Sequence, residues 1–154
     1  MVSGLEHVSM SCHVSKALCQ DAQRLRCTQE KNMNDVVCWT DIPVLELDRA
    51  VKFYSMVLGQ PVTLESGQGF AYALLPNSES GVSGCLYQSE GEHPSLSGPL
   101  VYFSVEGHLD ASLNAVTPYG GKILEAKHPI GPHGYRAVVV DSEGNRIALH
   151  SQVP

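Results

Sequence analysis

A repeated segment is the feature of this sequence that most constrains its fold. One segment occurs twice, and its matching residues stand 62 positions apart: Leu47 and Leu109, Asp48 and Asp110, Gly59 and Gly121. Internal repeats indicate that a fold is built from similar units. The sequence therefore predicts two similar modules in one domain, with the functional residues where the modules face each other.

Length, charge and cysteine usage narrow the class of protein. The 154 residues suit a single domain. A net charge of −6 without a cluster of Lys and Arg argues against nucleic acid and membrane surfaces as partners. No apolar run is long enough to span a membrane, and the N-terminus lacks the apolar segment of a signal peptide. The five cysteines form no C-x-x-C pair, which favours reduced thiols and a cytoplasmic location.

The chain divides near residue 34. Residues 1–34 are polar and match neither module, so they are predicted to be an N-terminal extension that is either flexible or a short helix. Residues 35–154 are predicted to be the folded domain, with its modules at residues 36–90 and 98–152.

Both modules show the same predicted order of elements. The first has a strand, a helix that Gly59 ends, and three strands, at residues 36–44, 47–58, 61–65, 69–75 and 82–88. The second has the same series at residues 100–106, 109–116, 122–126, 135–140 and 146–151. This repeated βαβββ order predicts an α+β fold.

The strands have two chemically different faces, because successive side chains point to opposite sides. Apolar rows such as Val101, Phe103 and Val105 predict the faces that pack against the helices, and Cys38 is expected on such a face as a buried thiol. The opposite rows mix aromatic rings with a few polar groups, which is typical of a small-molecule pocket.

The chain resembles the vicinal-oxygen-chelate superfamily, which includes glyoxalase I, bleomycin-resistance proteins and extradiol dioxygenases. The motifs that carry the resemblance lie at residues 47–54, 120–122, 134–137 and 141–147. The resemblance covers residues 36–152 and implies a curved mixed β-sheet around a cavity, with the helices on the outer face. Because this fold hosts many activities, the resemblance does not imply one function.

Enzymes of this superfamily hold a divalent metal with four side chains, usually His, Glu or Gln, two from each module. The resemblance places those positions at Trp39, Cys85, Leu100 and Ala148. Three of these side chains cannot bind a metal, and a lone thiol suits an oxygen-chelating site poorly. No metal and no other cofactor is therefore expected.

The predicted ligand site comprises residues of the cavity faces and of one loop: Trp39, Asp41, Tyr72, Cys85, Tyr87, Leu100, Tyr102, His128, His133, Tyr135 and His150. Trp39, the only tryptophan, would stack on a planar ligand. Asp41, expected to be buried beside it, and His150 are the candidates for acid–base catalysis. The alternative to a metal-free site is an unconventional set of ligands, in which Asp41 and His150 join His128 and His133.

Three functions are compatible with these features. The first is metal-free binding of a small organic ligand in an aromatic-lined cavity, in the manner of the bleomycin-resistance proteins. The second is a lyase or isomerase of the same superfamily that uses unconventional acid–base residues or metal ligands. The third is a module that contacts another protein. The missing metal ligands favour the first, and a homodimer is expected because relatives usually dimerise.

Overall fold

The structure is a computed structural model that describes residues 37–67, 70–78 and 81–154. The predicted N-terminal extension, residues 1–34, lies outside the described residues. The helices and strands of the described residues lie in the compact unit Trp39–Pro154. Cys38, just before this unit, is exposed. The expectation of a buried thiol is therefore wrong, because the first strand begins one residue later.

Both modules have the predicted βαβββ order. The first contains β1 (Trp39–Pro43), α1 (Leu47–Leu58), β2 (Thr63–Gly67), β3 (Phe70–Leu74) and β4 (Ser83–Tyr87). The second contains β5 (Val101–Ser104), α2 (Leu109–Val116), β6 (Lys122–Pro129), a 3₁₀ turn (Gly131–His133), β7 (Tyr135–Val140) and β8 (Arg146–Ser151). The α+β class and the two-module architecture are thus confirmed. The largest differences are a shorter β1 and a β6 that continues to Pro129, where it still pairs with β7.

Each module forms one four-stranded mixed sheet. The strand orders are β1-β4-β3-β2 and β5-β8-β7-β6. The pairs β1/β4 and β5/β8 are parallel, whereas the other pairs are antiparallel. Equivalent strands occupy equivalent positions, so the sequence repeat is also a structural repeat.

The core lies between the helices and one face of each sheet. In α1, Ala50, Phe53, Tyr54 and Val57 are fully buried, at the spacing that places them on one side of a helix. Gly59 ends α1 in the left-handed region, with a φ of 66°, which glycine adopts without strain. Alternate strand residues complete the core, and these include Ile42, Leu86, Ile147 and Leu149.

Gly121 matches Gly59 in the repeat but has a different role. A Cβ atom at Gly121 would lie 2.6 Å from Cε2 of Phe53 and 2.6 Å from the carbonyl oxygen of Val140. Both distances are too short for any larger side chain. Glycine is therefore required here because a ring of the first module packs directly against the backbone of the second.

A turn of the second module, residues 141–145, joins the two modules and is called the joining turn below. One carboxylate oxygen of Asp141 accepts hydrogen bonds from the backbone N–H groups of Glu143, Gly144 and Asn145, at 2.8, 2.7 and 2.8 Å. The other accepts hydrogen bonds from the hydroxyl of Tyr54 at 2.7 Å and from the amide of Asn145 at 2.9 Å. Asp141 therefore both shapes the turn and binds the buried face of α1.

Glu143 of the joining turn caps the start of α1. Its carboxylate accepts hydrogen bonds from the backbone N–H groups of Leu45 and Glu46, at 3.0 and 2.9 Å, and pairs with two guanidinium nitrogens of Arg49, each at 2.8 Å. Burial alone would raise the pKa of Glu143, but the hydrogen bonds from Arg49, Ser142 and the Glu46 N–H together lower it. A carboxylate at a helix N-terminus satisfies free N–H groups and interacts favourably with the helix dipole.

No helix in the described part of the chain has both the length and the apolar character that a membrane crossing requires.

Candidate functional site

The candidate site consists of the sheet faces that point away from the helices, called the open faces below. Strand register assigns their members. In the first module Ile42 faces the core, so Trp39 and Asp41 lie on the open face, and Asp41 pairs with Cys85 across β1 and β4. Tyr72 pairs with Tyr87 across β3 and β4 and shares this face.

Asp41 links the aromatic and thiol groups of the first open face. Its Oδ1 atom accepts hydrogen bonds from Nε1 of Trp39 at 2.6 Å and from Sγ of Cys85 at 3.2 Å. Asp41 is exposed, so the expectation of a buried acid is wrong: the strand places this carboxylate at the surface. Burial first, and then the hydrogen bond to Asp41, raises the pKa of Cys85 to about 11. The thiol therefore stays protonated at neutral pH and is a poor nucleophile.

A second acid lies beside Tyr87 of the same face. The hydroxyl of Tyr87 donates a hydrogen bond of 2.5 Å to the carboxylate of Glu92. This hydrogen bond, followed by burial, raises the pKa of Tyr87 to about 12. The first open face thus presents aromatic rings whose polar groups are directed by acidic partners.

The second open face is built around Arg136. Its Nη1 atom donates a hydrogen bond to the hydroxyl of Tyr102 at 2.6 Å, its Nε atom donates to Nε2 of His128 at 3.3 Å, and its Nη2 atom contacts Glu125 at 3.3 Å. His150 stands opposite Arg136 in the pairing of β7 and β8. The side chains of four strands therefore meet in one polar cluster, which we call the Arg136 cluster: Tyr102, Glu125, His128, Arg136 and His150.

His150 is oriented by the short turn after β6. Its Nε2 atom lies 2.6 Å from the carbonyl oxygen of His133, so this nitrogen carries the proton that is donated. Its ring also meets the ring of Tyr102 edge to face, with 6.4 Å between the centroids. The imidazole is therefore held in place on the open face and leaves its Nδ1 atom for another contact.

The remaining predicted site residues occupy different surroundings. Leu100 immediately precedes β5, and Ala148 lies on the open face but is fully buried. The backbone carbonyl oxygen of His133 accepts the hydrogen bond from His150, while the side chain of His133 is exposed in the 3₁₀ turn. Tyr135 has the strand parity of Ala137 and Val139 and packs against the core, so it is not brought together with the open-face residues.

Three charged residues that contact members of the predicted site are themselves absent from it: Glu92, Glu125 and Arg136. The register of β7 and β8 makes Arg136 the neighbour of His150, so strand parity applied to β7 would have found it. Strand parity alone would not have found Glu125, because β6 has register shifts around it. Glu92 lies in the linker after β4, where no periodic pattern assigns a direction.

The residues at the positions that the resemblance implied for metal ligands do not form the ligand set of a divalent-metal site. The indole of Trp39 and the aliphatic side chains of Leu100 and Ala148 provide no ligand atom at the implied positions. Among the described residues, no three His, Cys, Asp or Glu side chains lie close enough together to hold a metal ion. The unconventional set, Asp41, His128, His133 and His150, is thus not assembled as a metal centre.

Comparisons with known proteins give similarity at the level of structure. No protein-family model matches the sequence, and no curated protein matches it. A glyoxalase/bleomycin resistance protein from Albidiferax ferrireducens is similar, with a TM-score of 0.58 and 20% identity over 76% of this chain and 99% of that one. The fosfomycin resistance protein FosX from Listeria monocytogenes has a TM-score of 0.55 and 11% identity over 77% of this chain and 94% of that one.

A glyoxalase I variant from Zea mays is also similar, with a TM-score of 0.57 and 23% identity. The similarity covers 75% of this chain and 45% of that one. At these identities the similarity establishes the fold, and fold alone does not determine function.

Proposed function

We propose, for a chain that has the fold of the vicinal-oxygen-chelate superfamily, that it binds a small organic ligand between its open faces without a metal ion. The observation that carries this proposal is an exposed indole that a hydrogen bond orients, at a position where the resemblance implied a metal-binding side chain. Trp39 is 46% exposed, and its Nε1 atom is tied to Asp41 at 2.6 Å.

Exposed aromatic rings on both open faces support the proposal. Tyr102 of the second module is also 46% exposed. Large exposed apolar groups that lie together on a sheet face are typical of interaction sites, and aromatic rings supply contact area for planar ligands. Because each ring is held by a polar neighbour, Asp41 or Arg136, binding requires little further ordering of these side chains.

The link between the modules supports a ligand site that both open faces share. Asn145 at the end of the joining turn donates a hydrogen bond of 2.9 Å from its amide to the carbonyl oxygen of Pro43. This contact fixes the start of β8 at the end of β1. A ligand at the end of β1 would therefore lie near the residues that begin β8.

Fluorescence of Trp39 provides the test, because the chain contains one tryptophan. Purified protein is analysed for metals and titrated with a panel of aromatic compounds that includes neutral and charged members. We expect a divalent-metal content far below one ion per chain and a saturable change of Trp39 emission with at least one compound. Calorimetry on Trp39→Ala is expected to show loss of that binding. Met56→Ala, which alters an exposed apolar residue of α1, should retain it.

Two results would contradict the proposal. One is a stoichiometric divalent ion whose removal changes the absorbance or the stability of the protein. The other is a panel that leaves Trp39 emission unchanged. The homodimer and the cytoplasmic location stay predictions.

A further inference from the structure

We infer that the Arg136 cluster is a subsite for the carboxylate of an aromatic organic acid. This inference deepens the proposed function, since it assigns a chemical class to the ligand and a role to residues of the second open face. It rests on the geometry of Arg136, on the histidines beside it, and on the distribution of charge between the two sheets.

Arg136 has guanidinium N–H groups that make no hydrogen bond within the cluster. A guanidinium carries five N–H groups, and the contacts with Tyr102, His128 and Glu125 use one each on Nη1, Nε and Nη2. One N–H group on each Nη atom therefore remains. The side chain is 28% exposed, so a ligand can reach it, and a guanidinium binds carboxylates through two parallel hydrogen bonds.

The contact between Arg136 and Glu125 does not block such a ligand. The two groups are 3.3 Å apart, and Glu125 is 52% exposed. Ion pairs of this kind at the surface contribute about 0–1 kcal/mol. A ligand carboxylate can therefore replace Glu125 at Arg136 with little loss, and the displaced side chain returns to water.

The hydrogen bonds of His128 select the tautomer that accepts a hydrogen bond from Arg136. Its Nδ1 atom lies 2.9 Å from the carbonyl oxygen of Ala126, which only an N–H group can use. In the neutral ring the proton is thus on Nδ1, and Nε2 accepts the Nε–H of Arg136. The guanidinium is consequently fixed from one side by His128 and from another by Tyr102, which leaves its direction defined before a ligand arrives.

His150 and Tyr102 complete the subsite. His150 donates its Nε2 proton to the carbonyl oxygen of His133 and stands opposite Arg136 in the strand pair. Tyr102 offers an exposed ring beside the guanidinium. A compound with a carboxylate attached to an aromatic ring matches this pairing of a cation with an aromatic surface.

The charge of the strands favours an anion at the second module only. Strands β1–β4 contain no Lys, Arg or His, and their charged residues are Asp41 and Glu65. Strands β5–β8 contain Glu125 and the following basic residues: Lys122, Lys127, His128, Arg136, Arg146 and His150. Lys127 is paired with Asp110, so Arg136 is the cation through which this open face attracts an anionic group in a chain with a net charge of −6.

Calorimetric titration with benzoate and with benzamide, its uncharged analogue, tests the inference on the full chain. We expect benzoate to bind the unaltered protein more tightly than benzamide by a factor of up to about five, as one partly exposed ion pair provides. Arg136→Gln should weaken benzoate binding by about the same factor, and Arg136→Lys should recover part of it. Glu125→Gln should tighten benzoate binding, because it removes the competing carboxylate.

Lys52→Gln is the matched control, since it removes the same charge from an exposed position of α1. It should leave both affinities unchanged. Equal binding of benzoate and benzamide would overturn the inference. So would an Arg136→Gln variant that folds normally and binds benzoate as before, or an equal effect of Lys52→Gln. Because benzoate and benzamide are compared on the unaltered chain, the inference can be tested even if a variant does not fold.

Trp39 emission, followed in the same titrations, separates this inference from the proposed function. Equal binding of both compounds with a change of emission would overturn the carboxylate subsite and leave the proposed function standing. Binding of benzoate that depends on Arg136 without any change of emission would support the subsite and overturn a ligand site shared by both open faces. Binding of neither compound would overturn the carboxylate subsite, whereas the proposed function would then be decided by the full panel.

Discussion

The two modules share one architecture and differ in the chemistry of their open faces. The strands of the first carry two acids and no base, whereas those of the second carry Arg136 in contact with His128 and Tyr102. The strand orders are nevertheless the same. The difference shows that the buried strand positions preserve the module fold, while the positions on the open faces are free to take different chemical roles.

The modules also differ in how they are joined. The joining turn of the second module caps α1 of the first through Glu143. At the start of α2 the backbone N–H of Gly107 donates to Ser151 of the same module, and Nε2 of His108 lies 3.2 Å from the carbonyl oxygen of Leu58 at the end of α1. The start of each helix therefore meets the other module through a different group, a carboxylate at α1 and an imidazole at α2.

The largest effect is expected from Asp141→Ala. This change leaves the N–H groups of Glu143, Gly144 and Asn145, as well as the Tyr54 hydroxyl, without their acceptor. Unpaired buried polar groups are costly, and we expect a loss of about 3–5 kcal/mol in the free energy of unfolding, measured in urea. Asp48→Ala, in the first turn of α1, is the control, with an expected loss of about 0.3–1 kcal/mol. Similar losses of stability in the two variants would show that Asp141 does not have a special role in the contact between the modules.

Glu143→Gln tests the cap alone, because it keeps the shape of the side chain and removes its charge. We expect the free energy of unfolding to fall by about 1–3 kcal/mol at neutral pH. The pKa of Glu143 lies below its ordinary value of 4.5 in the folded protein. Its contribution is therefore fully present above about pH 4.5 and is lost as the pH falls through the folded pKa.

Melting temperatures of the unaltered chain and of Glu143→Gln, measured from pH 7 downward, check this dependence. The difference between the two should shrink below pH 4.5, the ordinary pKa of the group. Glu106→Gln, which alters an exposed carboxylate bonded to the backbone of Gln152 and Val153, should have a smaller effect at neutral pH. A difference that is independent of pH would exclude the charge of Glu143 as its cause.

Tyr54→Phe removes one hydrogen bond between the modules and leaves the ring in place. Tyr54 is fully buried and donates to Asp141 at 2.7 Å. Burial, followed by the nearby charge of Asp141, raises the pKa of Tyr54 well above its usual range, so the hydroxyl remains a donor at alkaline pH. We expect this variant to lose about 1–2 kcal/mol of the free energy of unfolding, measured in urea. Tyr119 is exposed, so Tyr119→Phe should lose less than about 0.5 kcal/mol. An equal response of both variants would contradict this role.

Asp41→Asn tests the acidic character of the first open face through the reactivity of Cys85. Because burial and the bond to Asp41 raise the pKa of this thiol to about 11, its alkylation by iodoacetamide at pH 8 should be slow. The variant lowers the pKa, and each unit removed increases the thiolate fraction about tenfold. Mass spectrometry of the peptide that contains Cys85 measures the rate. Glu65→Gln, which alters the other acid of these strands, should leave the rate unchanged, and an acceleration there would contradict the assignment.

The elements with strong local signals could be predicted from sequence. The bounds of both helices follow from apolar spacing and, for α1, from Gly59, and strand parity placed Trp39, Asp41 and Cys85 on one face. The extension of β6 to Pro129 could not be read locally, because residues 129–132 have the composition of a loop and the pairing with β7 is a tertiary contact. The same holds for Glu143, whose partner Arg49 is 94 positions away.

The site residues were predicted less completely than the fold. Asp41 was expected to be buried because the sequence suggested a closed pocket around Trp39, whereas the edge position of β1 leaves this carboxylate exposed. Arg136 was missed because aromatic composition guided the choice of residues. Its importance depends on four strands that bring Tyr102, His128 and His150 to it.

The cap that Glu143 provides also has a consequence for the order of assembly. Its bonds to Leu45 and Glu46 span 98 and 97 positions of sequence, so the residues that lead into α1 lack these bonds until the joining turn has been synthesised. Contacts of such separation slow folding, because the loop must close before they form. On the ribosome, the N-terminal module should therefore wait for residues near the C-terminus, and a chain shortened before residue 141 should contain a destabilised α1.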